Sequence, residues 1–263
     1  MNTMVYDGSF EGLLTAIFEA YEYKMVDVKI YSEGEAMPAL FGNTHLVRTD
    51  QAKADRVYNK LKEKLTAIAL SRVLKTHLSG LPAIENHLLA YVRYIIASKI
   101  PVENNYSHPD VLMVHQTSRK VDREKHRMEA FVRFQLTKDG LYYSIIQPDF
   151  NVLPLISKHF TDRYADQRWL IYDVRRKYGL YYNLKNVSEV EMHFDIDTTD
   201  SSRLATIHDE NEELYQQLWQ QYFSSVNIPA RKNMKLHIQH MPKRYWRWLV
   251  EKRPHQRLTD DSQ

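Results

Sequence analysis

The sequence predicts an α+β fold in which an antiparallel sheet, built from hairpins, packs with a helical layer. Three observations carry this expectation. Phe131–Leu136 and Leu141–Ile146 read as extended segments around Thr-Lys-Asp-Gly, and an Asp-Gly pair supplies the positive-φ turn of a hairpin. Trp169–Tyr172 and Leu180–Leu184 form a second such pair around Arg175-Arg-Lys-Tyr-Gly179. Residues 50–98, by contrast, keep a 3.6-residue apolar period.

Element by element, residues 4–48 read as a short strand, a helix and a strand pair. Ser9 is placed to cap a helix whose apolar face is Phe10, Leu13, Leu14, Ile17, Phe18 and Tyr21. Val26, Val28 and Ile30 alternate with polar residues as a half-buried strand does, and a further extended piece turns at Gly42-Asn43. One apolar stripe then runs from Val57 through Leu74 to Ser79-Gly80, and Pro82 restarts a second, from Ile84 to Ile96. A polar connection leads to a helix from Pro109 to about Lys125. Val152–Phe160 is expected as a short helix crossing between the two hairpins, which should share one sheet because neither is stable alone. Helices at 208–226 and 231–240 and a Trp-rich turn after Pro242 complete the reading, with Trp169 and Trp219 expected in the core. This gives a single α+β domain over residues 1–263, with 50–125 a candidate helical subdomain.

Composition excludes several chemistries. With no Cys there is no disulfide, thiolate zinc site, iron–sulfur cluster or Cys nucleophile. Gly numbers only 7 and no glycine-rich phosphate loop of the common kinds occurs, whereas Tyr numbers 18. The opening MNTMVYDGSF has no basic or apolar region of a secretory leader, and Arg72 and Arg93 interrupt the most apolar stretches. A soluble, cytoplasmic protein without membrane contact, metal or cofactor is expected.

The net charge of +3 hides two opposed segments. Residues 228–257 carry nine Lys or Arg against Glu251, and residues 189–213 carry nine acids against Arg203. The basic segment interleaves cations with aromatics: Arg231, Lys232 and Lys235, then Lys243, Arg244, Tyr245, Trp246 and Arg247. Such cations neutralise phosphates, and exposed rings stack on bases at roughly 1–3 kcal/mol each. Arg175, Arg176 and Lys177, at a hairpin tip, are a second candidate nucleic-acid contact, although charged tips also keep sheet edges soluble.

Several stretches together resemble a known family. They are Tyr6-Asp-Gly-Ser-Phe-Glu-Gly12, His126-Arg-Met-Glu-Ala-Phe-Val-Arg-Phe134 running on to Pro148-Asp149, His159-Phe-Thr-Asp-Arg-Tyr164 and Trp169-Leu-Ile-Tyr-Asp173. Leu218-Trp219, Arg231-Lys-Asn233 and Met241-Pro-Lys-Arg-Tyr-Trp246 add to them. The sequence resembles a bacterial DNA-metabolism family, a domain of unknown function, over residues 1–24 and about 119–250. Its members are encoded beside a radical-SAM protein of DNA repair or modification, and in some the domain is fused to a uracil-DNA glycosylase-like domain. The resemblance implies a DNA repair or base-modification setting, not a reaction. The chain stops at Gln263, so a fused glycosylase-like domain is not expected here. Without Cys, any radical-SAM chemistry falls to a partner.

The first expectation is therefore a DNA-binding accessory protein working with a radical-SAM enzyme. An enzyme acting on a damaged base or nucleotide is the alternative, its pocket drawn from Asp7, Ser9, His126, Arg133, His159, Arg163 and Asp173. A protein–protein adaptor without DNA contact is a third reading, in which the acidic segment masks the basic one.

Overall fold

The computed structural model describes residues 2–34, 44–138, 140–191 and 241–249. It divides into two compact units, Met1–Arg123 and Glu124–Gln263. The α+β class holds, but neither sheet is the antiparallel one expected.

The first unit opens with β1 (Asn2–Tyr6), α1 (Phe10–Glu22), β2 (Val28–Ser32) and β3 (Thr44–Leu46). The expected strand pair does not pair with itself: β2 and β3 flank β1, both parallel to it, in the order β2-β1-β3. For β2 a β-α-β unit dictates this, because the crossover through α1 returns the next strand in the same direction. Ser9 caps α1 as expected, its hydroxyl accepting from Gly12 N at 2.9 Å. The long stripe expected from Val57 onward is two helices, α2 (Gln51–Lys64) and α3 (Ala67–His77). Thr66 breaks it: its hydroxyl accepts from Ala69 N, and its own N–H and hydroxyl donate to the Glu103 carboxylate. Helix α4 (Ile84–Ala97) follows, then α5 (Pro109–Phe131). Met4, Leu13, Ile17, Ile30, Leu61, Val73, Leu88 and Val92 are fully shielded in one apolar core with their neighbours.

His77 lies against the rings of Tyr6 and Phe10 in this unit. Burial pushes its pKa down to about 4, only partly opposed by a Gly8 backbone contact and the Asp7 charge. The unfolded chain takes up this proton near pH 6.5 and the folded chain only near 4, so stability is present above 6.5 and drains away as pH falls through that window. The expected loss is on the order of 3 kcal/mol. Denaturant titrations between pH 7 and 4 should show this slope in the native chain, and His77→Gln should flatten it.

The second unit holds β4 (Gln135–Leu136), β5 (Tyr142–Ile146), α6 (Leu153–Arg163), β6 (Trp169–Asp173), β7 (Tyr178–Tyr182) and β8 (Val187–Glu191) in one sheet of order β4-β5-β6-β7-β8. Both hairpins do share a sheet. The first is short, because α5 runs on to Phe131 and leaves only two strand residues before the turn. Glu124, Met128 and Val132 are buried at helical spacing, which overrides the extended reading of 131–136. The larger correction is that β5 and β6 are parallel, with Tyr142 beside Trp169 and Ile146 beside Asp173, and α6 as the crossover. The sheet is mixed. Strand β8 was not anticipated; among the described residues it is the outermost strand, and its Glu189 and Glu191 are exposed there, where charge discourages edge-to-edge pairing.

Trp169 is fully buried, as expected, within a ring cluster that includes Phe134, Phe160 and Tyr182. Trp219 and the helices expected at 208–226 and 231–240 lie outside the described residues. The turn after Pro242 is a 3-10 helix, Lys243–Trp248. Gly179 sits where a Cβ would stand 2.8 Å from the Ile171 carbonyl of the next strand. Gly179→Ala should therefore destabilise this unit by about 1–3 kcal/mol, read as a lowered denaturation midpoint. Among the described residues no helix is long and apolar enough to cross a membrane.

Candidate nucleic-acid interface

Parallel β5 and β6 end side by side, so the loop after β5 and the turn after β6 emerge at the same end of the sheet. In open α/β sheets this carboxyl end is where ligands bind. Here it carries the loop Gln147-Pro148-Asp149 and the basic tip Arg175-Arg176-Lys177.

The tip is organised by Asp173, whose side chain is completely buried. Its carboxylate accepts from the backbone N–H of Arg175 at 2.9 Å and of Arg176 at 3.3 Å, and from the Arg176 guanidinium at 2.7 Å. Lys177, at a φ of 59°, closes the turn by donating its N–H to the Asp173 carbonyl. Arg175 and Arg176 then reach the neighbouring loop. Arg175 donates to the Asp149 carbonyl at 3.1 Å, and Arg176 to the carbonyls of Pro148 and Asp149 at 3.2 and 3.0 Å.

The 243–248 turn approaches the same loop. Arg244 meets the Asp149 carboxylate at 2.8 Å, and Arg247 donates to the Gln147 side chain. Four arginines from two distant parts of the sequence thus converge on three residues. Arg175, Lys177, Lys243, Arg244 and Arg247 are exposed, while Arg176 is half-buried. Arg127 adds a further half-buried cation, 3.6 Å from Glu124.

Glu124 anchors the turn. Its carboxylate, 1% exposed, accepts from the Tyr245 hydroxyl at 2.5 and 2.6 Å, from Arg244 at 3.1 Å and from Asp149 N at 2.8 Å. Burial, reinforced by the Glu124 carboxylate, pushes the Tyr245 phenol well above its ordinary range and keeps it a donor. Tyr245 is 2% exposed, so it is a fastener and not the base-stacking ring that the sequence offered. Trp246 and Trp248 are half-buried; the Arg247 guanidinium lies 4.3 Å from the Trp248 ring centre and Lys243 5.9 Å from that of Trp246. Arg231, Lys232 and Lys235 lie outside the described residues.

The candidate catalytic residues fall into separate local arrangements. In the first unit, Asp7 and Ser9 form a local cap: the Asp7 carboxylate accepts from Ser9 N, the Ser9 hydroxyl and the Thr49 hydroxyl. Burial raises the Asp7 pKa, but those hydrogen bonds outweigh it and hold the carboxyl below its ordinary value. In the second unit Arg133 donates to the Ala130 carbonyl at 2.7 Å, closing the end of α5. Arg163 is exposed at the end of α6, over the Tyr164 ring. Asp173 holds the tip. His126 and His159 do share a neighbour, Glu129, at 3.8 and 4.0 Å, yet the His126 side chain is 87% exposed. Among the described residues no group of His, Asp and Glu is placed to hold a metal ion.

Sequence reasoning missed Glu124, Gln147 and Asp149 as site residues. Pro148-Asp149 belonged to a quoted motif, but only the parallel strand pairing brings it to the basic tip. Glu124 gave no signal, since one Glu in a charged helix looks solvated.

No curated protein matches the chain. A solved structure titled "pGpG-specific phosphodiesterase - PggH from Vibrio cholrae" is similar over 86% of this chain and 99% of its own, at 8% identity and a TM-score of 0.33. At that level the likeness bears on neither fold nor chemistry. Residues 82–251 match the family described as Domain of unknown function (DUF4130). That span takes in the loop, the basic tip and the 243–248 turn, and on it the chain belongs to the DUF4130 family.

Proposed function

We propose that the cationic end of the second sheet binds DNA, and that the protein is a DNA-binding accessory factor of DNA repair or base modification. The observation that carries this is the convergence of Arg175, Arg176, Arg244 and Arg247 on the 147–149 loop. Two basic segments that are separate in sequence become one surface, as phosphate binding requires. Planar guanidinium groups also suit phosphate oxygens better than ammonium groups do. The motifs that carry the family resemblance supply much of this end: Pro148-Asp149, Asp173 and Arg244-Tyr245 lie in it. The same resemblance supports a radical-SAM enzyme as the partner that performs the chemistry.

Two measurements test this reading. Fluorescence anisotropy with short single- and double-stranded DNA should give an affinity that falls linearly in log[salt]. Four to six phosphate contacts imply a slope of roughly −3 to −5. A pull-down with a radical-SAM protein of DNA repair or modification should retain it in low salt and more firmly with DNA present. No binding to either DNA form at low salt would refute the DNA reading, whatever the partner does.

A further inference from the structure

We infer, resting on the DNA reading above, that this surface recognises a phosphorylated strand end, a phosphate monoester, in preference to continuous backbone. Three features point to a compact, highly charged ligand. The first is density. The four arginines are anchored to three consecutive residues, a span of at most about 10 Å, and Lys177 and Lys243 adjoin them. Internal phosphodiesters bring one charge each, whereas a terminal monoester concentrates about −1.5 to −2 on one group with three acceptor oxygens.

The second is a boundary. Strand β8 runs antiparallel to β7 with Glu191 opposite Tyr178, so exposed Glu191 lies beside the tip, at the same end of the sheet. A long strand crossing that end would pass this carboxylate and be repelled. A strand that terminates on the arginines would not.

The third is a stand-in. The Asp149 side chain, 47% exposed, already places a carboxylate oxygen 2.8 Å from the Arg244 guanidinium. Arg244 is fixed from behind by Glu124, so it is held in position before any ligand arrives. A terminal phosphate takes the place of the Asp149 carboxylate and meets Arg247 and Arg175 as well, each of which spends one N–H on the loop. The specificity is that of charge-assisted, forked hydrogen bonds.

The test uses the full chain and one labelled oligonucleotide made with a 5′-phosphate, a 3′-phosphate or hydroxyl at both ends. One phosphorylated form should bind at least about tenfold more tightly than the hydroxyl form, and which one does so identifies the end. Asp149→Asn, which removes the competing charge and keeps the side-chain size, should tighten binding of that form several-fold. Arg247→Ala should erase most of the end preference. Equal affinity for all three oligonucleotides overturns end recognition while leaving DNA binding intact. Absence of binding to any of them overturns both.

Discussion

Replacing Glu124 by Ala should cost the second unit about 3–5 kcal/mol. The carboxylate is almost completely buried and is the shared acceptor for the Tyr245 hydroxyl, the Arg244 guanidinium and the Asp149 backbone N–H. Its removal leaves a phenol and an amide unsatisfied and a guanidinium short of a partner, and stranded donors cost more than the bonds themselves contributed. For a unit of this size the loss corresponds to roughly 10–17 °C in melting temperature. Glu124→Gln, which keeps one acceptor oxygen, should fall between Ala and the native chain. Tyr245→Phe removes a single donor and should cost about 1–2 kcal/mol. A double-mutant cycle on Glu124 and Tyr245 should show strong coupling. A Glu124→Ala protein that melts within a degree or two of the native one would mean that the 243–248 turn is not held by this carboxylate.

Reversing three exposed charges, Arg175→Glu, Lys177→Glu and Arg247→Glu together, should reduce DNA affinity by about a hundredfold or more at low salt. The slope of log affinity against log[salt] should flatten by up to about 3, one unit for each lost phosphate contact. These side chains are solvent-exposed, and surface changes of this kind typically move stability little, so the triple variant should remain folded. Arg244 is deliberately left in place. It pairs with buried Glu124, and a carboxylate introduced there would repel Glu124 and unseat the turn, confounding binding with folding. Unchanged affinity and slope would place the DNA contact away from this end of the sheet.

The physics that made parts of this molecule legible is local. Ser9 announces its helix because the cap needs only a hydroxyl three residues ahead of Gly12 N. The Asp173–Tyr178 tip likewise follows from turn chemistry within a few residues. Strand direction is not local. The extended residues of Tyr142–Ile146 and Trp169–Asp173 are compatible with either orientation, and the crossover through α6 decides for the parallel one. With the antiparallel assignment, the 147–149 loop would have been placed at the opposite end from Arg175–Lys177, and the site would not exist. The helix that overruns to Phe131 is a tertiary effect of the same kind: Glu124 and Met128 are buried on its inner face, and that burial outweighs the β-leaning Phe-Val-Arg-Phe. Charge counting marked the basic segments but could not separate Arg247, which faces solvent, from Tyr245, which is buried against Glu124. Glu189 and Glu191, read as the start of an acidic stretch, belong to a strand that is outermost in the sheet among the described residues.

The central claim, that two separate basic segments and one loop form a single DNA-binding face, is tested most directly by amide hydrogen exchange with and without saturating DNA. Exchange should slow together in Gln147–Asp149, Asp173–Tyr178 and Lys243–Trp248, with no comparable change in α1 or the parallel sheet of the first unit. Protection confined to one of the three segments, or appearing only in the first unit, would contradict a single face.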